Sequence, residues 1–355
     1  MNVMESNPIH PMPGTPFGAN YSVALKSQIL ALLLLCAWFS SGPVQAASSG
    51  TVVPWGDGRA GLSSIPPNLG QIVAVAAGGT FNLALKWDGT VVAWGDNSSG
   101  QINVPPTLAN VVALAAGNHA LALRSDGTVV AWGYNSSGQA DVPPGLTNVV
   151  AVAAGDSHSL ALLRDGQVMA WGFNSGGQID VPAGLTNVIA VAGGAVHSLA
   201  LKQDGTVVAW GFNDFGQRDV PPGLTNVIAI AAGYVHSVAL RSDGTVVAWG
   251  VNWAGQSTVP SGLSNVVAIS ASDHTLALRA DGTVVAWRRD EAGQADVPAG
   301  LSDIVMVSAK GWHSLALVGD ASPVVTIQPA SQTVYLGNTI RLAATVVGNE
   351  PLFYQ

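Results

Sequence analysis

The sequence predicts an all-β protein, a closed seven-bladed β-propeller built from repeats of about 39 residues. A hairpin unit, typified by residues 197–211 (HSLALKQDGTVVAWG), recurs along most of the 355-residue chain. Its tryptophan falls at positions 55, 94, 132, 171, 210, 249 and 287, so successive copies are 38 or 39 residues apart. About four short strands are expected in each unit of such an array. The 42 glycines and a charged fraction of only 10% also suit short strands joined by tight turns.

Residues 1–46 precede the repeats and are predicted to be a secretory signal peptide. Lys26 supplies a positive charge, residues 29–39 (ILALLLLCAWF) form an apolar core, and cleavage is expected after Ala46. The apolar run of 11 residues is short for a membrane span. An uncleaved anchor and a lipoprotein attached at Cys36 are the alternatives. Cleavage would remove the only cysteine, so we expect a mature chain without disulfides or a membrane span, secreted or held at the cell surface.

Each hairpin joins a Leu-Ala-Leu arm to a Val-Val-Ala-Trp arm. In the copy at residues 197–211 the arms flank Asp204-Gly205, a pair that predicts a type I′ turn with φ > 0 at both positions. A loop rich in turn-forming residues follows at 216–224, and a short apolar strand follows at 226–233. The alternating alanines are expected to leave room for Leu, Val and Trp side chains of the next blade.

The number of arms predicts how the array ends. There are seven arms of each type, but only six pairs are joined by a local turn. The first tryptophan arm, residues 51–56, and the last leucine arm, residues 314–319, have no partner in the adjacent sequence. We predict that these two arms pair, because the pairing closes residues 51–319 into a ring and removes the open sheet edges. An open solenoid would instead need dissimilar capping repeats.

Charge and motifs exclude several classes of function. A net charge of −8 without a basic patch argues against nucleic-acid binding. Six histidines recur in register, but equivalent residues of successive blades stand around a wide ring, too far apart to share a metal ion. Each histidine is instead predicted to hydrogen-bond backbone within its own blade. These residues are His119, His158, His197, His236, His274 and His313.

The sequence also gives no catalytic constellation. A pair such as His158-Ser159 does not form a catalytic unit, because neighbours on a strand point to opposite faces. Asp-Gly turn chemistry accounts for the recurring aspartates. Phosphate-loop, zinc-protease and dinucleotide motifs are absent from the sequence. We therefore expect neither catalysis nor a cofactor, and an extracellular enzyme with a site at the central channel is the least favoured alternative.

The repeats resemble the regulator of chromosome condensation (RCC1-like) family. Residues 133–139 (GYNSSGQ) and 154–162 (AGDSHSLAL) carry the resemblance, which extends over 51–319 and implies a seven-bladed propeller. The spelling of the repeat is most similar to a secreted bacterial branch that includes β-lactamase inhibitor protein II. Phe81 in place of histidine and Arg288 in place of glycine depart from the pattern. A signal peptide and an acidic chain argue against the nuclear nucleotide-exchange role of some members of that family.

The repeat pattern stops near residue 320. Residues 323–355 resemble the opening of a bacterial immunoglobulin-like domain, with strands expected at 323–327, 339–347 and from 352 onward. This segment is about a third of such a domain, so it is predicted to be incomplete.

Positions that vary from copy to copy are the candidates for recognition, because the repeated hairpin is scaffold. One variable slot follows the Trp-Gly strand end and the other precedes the histidine. Aromatic residues in these slots are candidate partner-binding anchors: Tyr134, Phe173, Phe212, Phe215, Tyr234, Trp253 and Trp312. The alternative is that these rings pack over the rim of their own blade.

These observations predict a secreted or surface-displayed, non-catalytic module that binds a protein or a glycan through variable propeller loops. An inhibitor of an extracellular enzyme such as a β-lactamase is the main alternative. We expect a monomer with an extracellular protein or glycan as its partner.

Overall fold

A computed structural model describes residues 50–288, 290–319, 324–327 and 345–347. Residues 50–319 form seven three-stranded antiparallel sheets, numbered here in chain order. Sheets 1 to 3 contain β2 (Ile72–Ala77), β3 (Phe81–Lys86), β4 (Val91–Gly95); β5 (Val111–Ala116), β6 (His119–Arg124), β7 (Val129–Gly133); and β8 (Val149–Ala154), β9 (His158–Leu163), β10 (Val168–Gly172). Sheets 4 to 6 contain β11 (Val188–Gly193), β12 (His197–Lys202), β13 (Val207–Gly211); β14 (Val227–Ala232), β15 (His236–Arg241), β16 (Val246–Gly250); and β17 (Val266–Ala271), β18 (His274–Arg279), β19 (Val284–Arg288). Sheet 7 contains β20 (Ile304–Lys310), β21 (His313–Val318) and β1 (Thr51–Gly56).

The predicted pairing of the two unpartnered arms is present in sheet 7. β1 runs antiparallel to β21, with Thr51 opposite Val318 and Gly56 opposite His313. β1 therefore takes the outer place that the tryptophan strand takes in sheets 1 to 6. The first strand of the repeat region completes the last sheet.

Each unit has three strands, not the four expected. Residues 216–224, between sheets 4 and 5, are turn and coil. Pro221 and Pro222 lack the N–H that a ladder needs, and Gly223 has a φ of +77°. This stretch therefore connects sheets and does not add a strand.

The Asp-Gly turns are not of type I′. In sheet 4, Gly205 N–H donates to the Lys202 carbonyl at 2.9 Å, and Lys202 N–H donates to the Thr206 carbonyl at 2.9 Å. Gly205 has a φ of +77°, whereas Asp204 stays outside the positive-φ region. The connection is thus a three-residue loop, a type I turn closed by a glycine bulge. The Asp204 carboxylate accepts hydrogen bonds from the Thr206 N–H at 3.0 Å and from its hydroxyl at 2.6 Å, which fixes this alternative.

The predicted packing of small against large side chains is confirmed. Leu199 and Leu201 of sheet 4 pack with Ala239 and Trp249 of sheet 5. Fully burying one such leucine contributes about 1.5–3 kcal/mol. The same arrangement recurs between sheets 7 and 1, where Leu315 and Leu317 of sheet 7 meet the equivalent alanine and tryptophan of sheet 1. The interface between the last and first sheets therefore uses the same packing as the interfaces between sheets adjacent in sequence.

Outside the seven sheets, the structure describes a single turn of 3-10 helix (Arg59–Gly61) and an antiparallel pair, β22 (Val324–Ile327) with β23 (Thr345–Val347). The predicted signal peptide, and the rest of the segment predicted to be immunoglobulin-like, lie outside the described residues. In the described part of the chain, no helix is long and apolar enough to cross a membrane.

Candidate functional site

Both variable slots lie at the same end of the sheets. In five sheets (sheets 1, 3, 4, 5 and 7) the residue after the Trp-Gly strand donates its N–H to the carbonyl of the residue just before the middle strand. Phe173 N–H bonds the Ser157 carbonyl at 2.8 Å, and Phe212 N–H bonds the Val196 carbonyl at 3.0 Å. We call this end the loop face, and the end carrying the Asp-Gly turns the turn face. The sequence treats the two slots as separate, whereas the fold joins them into one surface.

Three of the predicted aromatic residues form a cluster on the loop face. The rings of Phe212 and Phe215 have centroids 6.0 Å apart, and Phe215 meets Trp253 edge to face at 4.9 Å with an interplanar angle of 81°. Phe215 follows sheet 4 and Trp253 follows sheet 5, so the contact crosses between neighbouring sheets. The Trp253 side chain is 80% exposed, although packing usually hides a ring of this size.

The other four predicted residues are placed around the same face. Tyr134 and Phe173 follow sheets 2 and 3, and Tyr234 lies in the inner loop of sheet 5. All three are exposed, Tyr234 by 52%. Trp312 lies in the inner loop of sheet 7, where the Arg59 guanidinium carbon is 5.1 Å from its ring centroid. Tyr134, Phe173, the cluster and Tyr234 thus occupy four successive sheets, and we call them the aromatic arc.

Hydrogen bonds hold the backbone beneath the arc. Asn213 Nδ2 donates to Asp219 Oδ1 at 2.8 Å, and Asn213 Oδ1 accepts the Arg218 N–H at 2.8 Å. Gln217 Oε1 accepts the Phe215 N–H at 3.1 Å. The aromatic side chains therefore stand on a preformed loop, which lowers the entropy lost on binding.

The recurring histidines do not bond backbone within their own sheet, so that prediction is wrong. His197 Nε2 lies 3.0 Å from Ser237 Oγ of the next sheet. Ser237 donates its hydroxyl to the Gln217 carbonyl at 2.8 Å, and Trp249 Nε1 donates to the same carbonyl at 3.0 Å. Since the serine hydrogen is used on the carbonyl, its oxygen accepts from the histidine, which places the proton on Nε2. We call this arrangement the inter-sheet latch.

The latch recurs at most sheet boundaries in the described residues. The pairs are His119 with Ser159, His158 with Ser198, His197 with Ser237, His236 with Thr275, His274 with Ser314 and His313 with Asn82. The last pair joins sheet 7 to sheet 1. Between sheets 1 and 2 both partners change together: Phe81 replaces the histidine and Ala120 replaces the serine. Both residues there are buried, so an apolar pair substitutes for a polar one.

Burial keeps these histidines neutral. It lowers the pKa of His119, His197 and His274 to about 3, and that of His158, His236 and His313 to about 4. The desolvation of an imidazolium in a dry interface is the leading cause at each position. Among the described residues no group of three or more metal-ligating side chains is brought together. At each of these positions the imidazole hydrogen-bonds a side chain of the neighbouring sheet.

A cavity of about 270 Å³ lies where the inner strands of all seven sheets meet. Its walls are mainly Val, Ala, Leu and Ile, and its titratable lining residue is Lys310. Lys310 is only 8% exposed, and its Nζ lies 2.8 Å from Asp156 Oδ1. Lys310 belongs to sheet 7 and Asp156 to sheet 3, so the ion pair spans the loop-face end of the cavity. The charged groups at this cavity are thus one lysine and the aspartate that pairs with it.

Sequence reasoning missed the latch serines and the Lys310–Asp156 pair. A detectable signal for the latch was present, because each histidine is followed by its hydroxyl partner 39 or 40 residues later, except across the chain ends. The joint change to Phe81 and Ala120 was a second signal. The Lys310–Asp156 ion pair left no such signal in the sequence, because its two residues are far apart in the chain and lie at different variable positions.

Comparison with known proteins agrees with this architecture. A family model of the regulator of chromosome condensation (RCC1) repeat matches residues 72–101, 111–139, 149–178, 188–217 and 227–256. No curated protein matches the chain. Among solved structures, Prp20p from Saccharomyces cerevisiae is 23% identical with a TM-score of 0.67, covering 77% of this chain and 92% of its own.

Two further solved structures share the fold. Yeast RCC1 (Prp20), in a structure with bound Kap60, has 22% identity and a TM-score of 0.66, with 77% of this chain and 89% of that chain covered. Human WBSCR16 has 20% identity and a TM-score of 0.61, with 76% and 99% covered. Five successive matches to the RCC1 repeat thus lie between residues 72 and 256, and the solved structures share the fold.

Proposed function

We propose that this chain is a non-catalytic protein-binding module that engages its partner through the aromatic arc on the loop face. The observation that carries the proposal is the Phe212–Phe215–Trp253 cluster, because Trp253 is exposed on a loop that its neighbours hold in place. Exposed aromatic anchors on rigid loops are the residues that dominate binding energy at protein interfaces.

The placement of the chain ends favours the loop face as the binding surface. Gly50 precedes β1 and Gly319 follows β21, and both lie at the turn face, where Gly319 N–H bonds the Asp303 carbonyl at 2.9 Å. The chain thus enters and leaves the seven sheets at the end opposite the arc. Both connections therefore join the sheets at the face opposite the proposed binding surface.

The scaffold we propose is a closed seven-bladed propeller spanning residues 51–319. The β1–β21 pairing, the His313–Asn82 latch and the packing of sheet 7 on sheet 1 support closure. We further propose that the module works outside the cytoplasm as a monomer, with residues 1–46 as its signal peptide and 323–355 as the start of an immunoglobulin-like domain. The sequence patterns of those two segments support this arrangement.

The solved relatives support protein recognition over glycan recognition. Yeast RCC1 has been solved with Kap60 bound, and Prp20p has binding properties to Gsp1p and histones. If the chain binds a polysaccharide and Trp253→Ala abolishes that binding, the proposed protein partner would be replaced by a glycan.

A displayed library of random peptides tests the proposal. The full chain is used to select binders, which are then measured against Trp253→Ala and Trp87→Ala. Trp87 is a matched control, because it is 57% exposed but lies beside the Asp-Gly turn of sheet 1 on the turn face. We expect most binders to lose affinity for Trp253→Ala and to keep it for Trp87→Ala. Binders that depend on Trp87 and ignore Trp253 would contradict the proposal.

A further inference from the structure

We infer that the partner of the aromatic arc presents a cationic polypeptide surface, rich in lysine or arginine beside apolar side chains. This inference rests on the proposed function and specifies the chemistry of its partner. It follows from how charge is divided between the two faces and from what the exposed rings can bind.

The two faces differ in charge. The described connections and strand ends of the loop face, between residues 51 and 319, carry eleven acidic and four basic residues. The turn face is nearly balanced, with seven acidic and six basic residues. Most of those basic residues end the middle strands, as Arg124 and Lys202 do. The excess negative charge of the repeat region is therefore concentrated on the face that carries the arc.

In the loops that carry the aromatic arc, the charged side chains are mostly acidic. Asp141, Asp180, Asp214 and Asp219 are all exposed there. The basic residue in these loops is Arg218, whose Nη1 donates to the Gly211 carbonyl at 3.2 Å. Lys310, also on this face, is buried against Asp156. A partner approaching the arc thus meets carboxylates, with the nearby cations engaged by the protein itself.

The rings add a second and independent preference for cations. An ammonium or guanidinium group over an aromatic face is attracted by the ring quadrupole, most strongly by tryptophan. The same face already contains one such pair, with Arg59 5.1 Å from the Trp312 centroid. Trp253 and Tyr234 present comparable rings that are 80% and 52% exposed. Carboxylates attract a cationic partner and the exposed rings bind its side chains at short range.

The repeats themselves supply substitutions that remove charge without disturbing the loops. Asn103 takes the place of Asp219 in the loop after sheet 1, and its Oδ1 accepts the same hydrogen bond, from Asn97 Nδ2 at 2.9 Å. The triple variant Asp141→Asn, Asp180→Asn, Asp219→Asn is therefore expected to fold normally. On the turn face, Asp303→Asn is the matched control, because five equivalent positions are asparagine with the same positive φ.

The experiment measures binding of three labelled twelve-residue peptides to the full chain by fluorescence anisotropy at low salt. In these peptides tyrosine alternates with lysine, with glutamate or with serine. We expect the lysine peptide to bind tightest, with affinity falling about tenfold in the triple variant and further with added salt. Trp253→Ala should weaken it about threefold, whereas Asp303→Asn and Trp87→Ala should leave it unchanged.

The outcomes separate this inference from the proposal beneath it. Equal binding of the lysine and glutamate peptides, or no effect of the triple variant, would overturn the cationic partner. If Trp253→Ala still weakens the serine peptide in that case, the arc remains a binding surface for an uncharged partner. If Trp253→Ala affects none of the peptides, the proposed function fails as well.

Discussion

Lowering the pH from 7 to 5 is expected to destabilise the seven sheets through their buried histidines. Burial lowers the pKa of His158 to about 4 from its ordinary value of 6.5. At a pH between 4 and 6.5, unfolding lets this histidine take up a proton. The stability that its neutral form contributes to the folded chain is therefore complete above pH 6.5 and is lost as the pH falls toward 4. At pH 5 the loss amounts to about 2 kcal/mol for one such histidine.

Six histidines share this behaviour, so their combined loss at pH 5 approaches about 12 kcal/mol, against a total stability of about 5–15 kcal/mol for a typical protein. We therefore expect a large loss of stability between pH 7 and pH 5. His158→Phe removes one of the six contributions. The site should accept the phenyl ring, because Phe81 occupies the equivalent position against Gly78 just as His158 lies against Gly155.

Urea denaturation followed by tryptophan fluorescence at pH 7, 6 and 5 gives the free energy of unfolding at each pH. Between pH 7 and 5 the decrease should be about 2 kcal/mol smaller for His158→Phe than for the unsubstituted chain. Trp87→Ala, which alters no titrating group, should show the full decrease. An identical decrease in His158→Phe, or stability that does not change with pH, would refute the assignment of a neutral buried imidazole.

Two further predictions concern how the sheets are joined. Ser198→Ala should destabilise the chain by about 1–3 kcal/mol, because it leaves the buried His158 Nε2–H without an acceptor. In thermal denaturation, adding His158→Phe to Ser198→Ala should recover most of that stability. Strictly additive effects of the two substitutions would contradict the inter-sheet latch. In the pairing of β1 with β21, Thr51→Cys and Val318→Cys should form an intramolecular disulfide under mild oxidation, detected by mass spectrometry of the unreduced digest, since these residues are directly opposed. Exclusively intermolecular crosslinks would mean that the two strands do not meet within one chain.

The sequence predicts the scaffold well because the scaffold repeats. The Leu-Ala-Leu and tryptophan arms give the sheets, and the two arms left over give the β1–β21 pair. The turn type escapes prediction, since Asp-Gly suits two hairpin geometries and the Asp204–Thr206 hydrogen bonds decide between them. The histidine partners escape it because a serine one repeat away becomes a neighbour only once sheets stack face to face.

The candidate site is predictable only in its parts. The variable aromatic residues can be found by comparing one repeat with the next. A comparison of repeats does not show that these residues lie on one face. That placement depends on where the strand before Phe173 ends relative to the loop that holds Ser157. The contact of Phe215 with Trp253 also depends on the spacing of neighbouring sheets, which no local pattern records.

Crosslinking of a bound peptide tests most directly whether the aromatic arc is the binding surface. A photoreactive benzophenone group replaces one tyrosine of the lysine–tyrosine peptide, and the crosslinked residues of the full chain are identified by mass spectrometry. Crosslinks within residues 134–142, 173–181, 212–220, 234–235 and 251–259, suppressed by Trp253→Ala, are the predicted result. Crosslinks concentrated at the Asp-Gly turns of the opposite face would contradict the account.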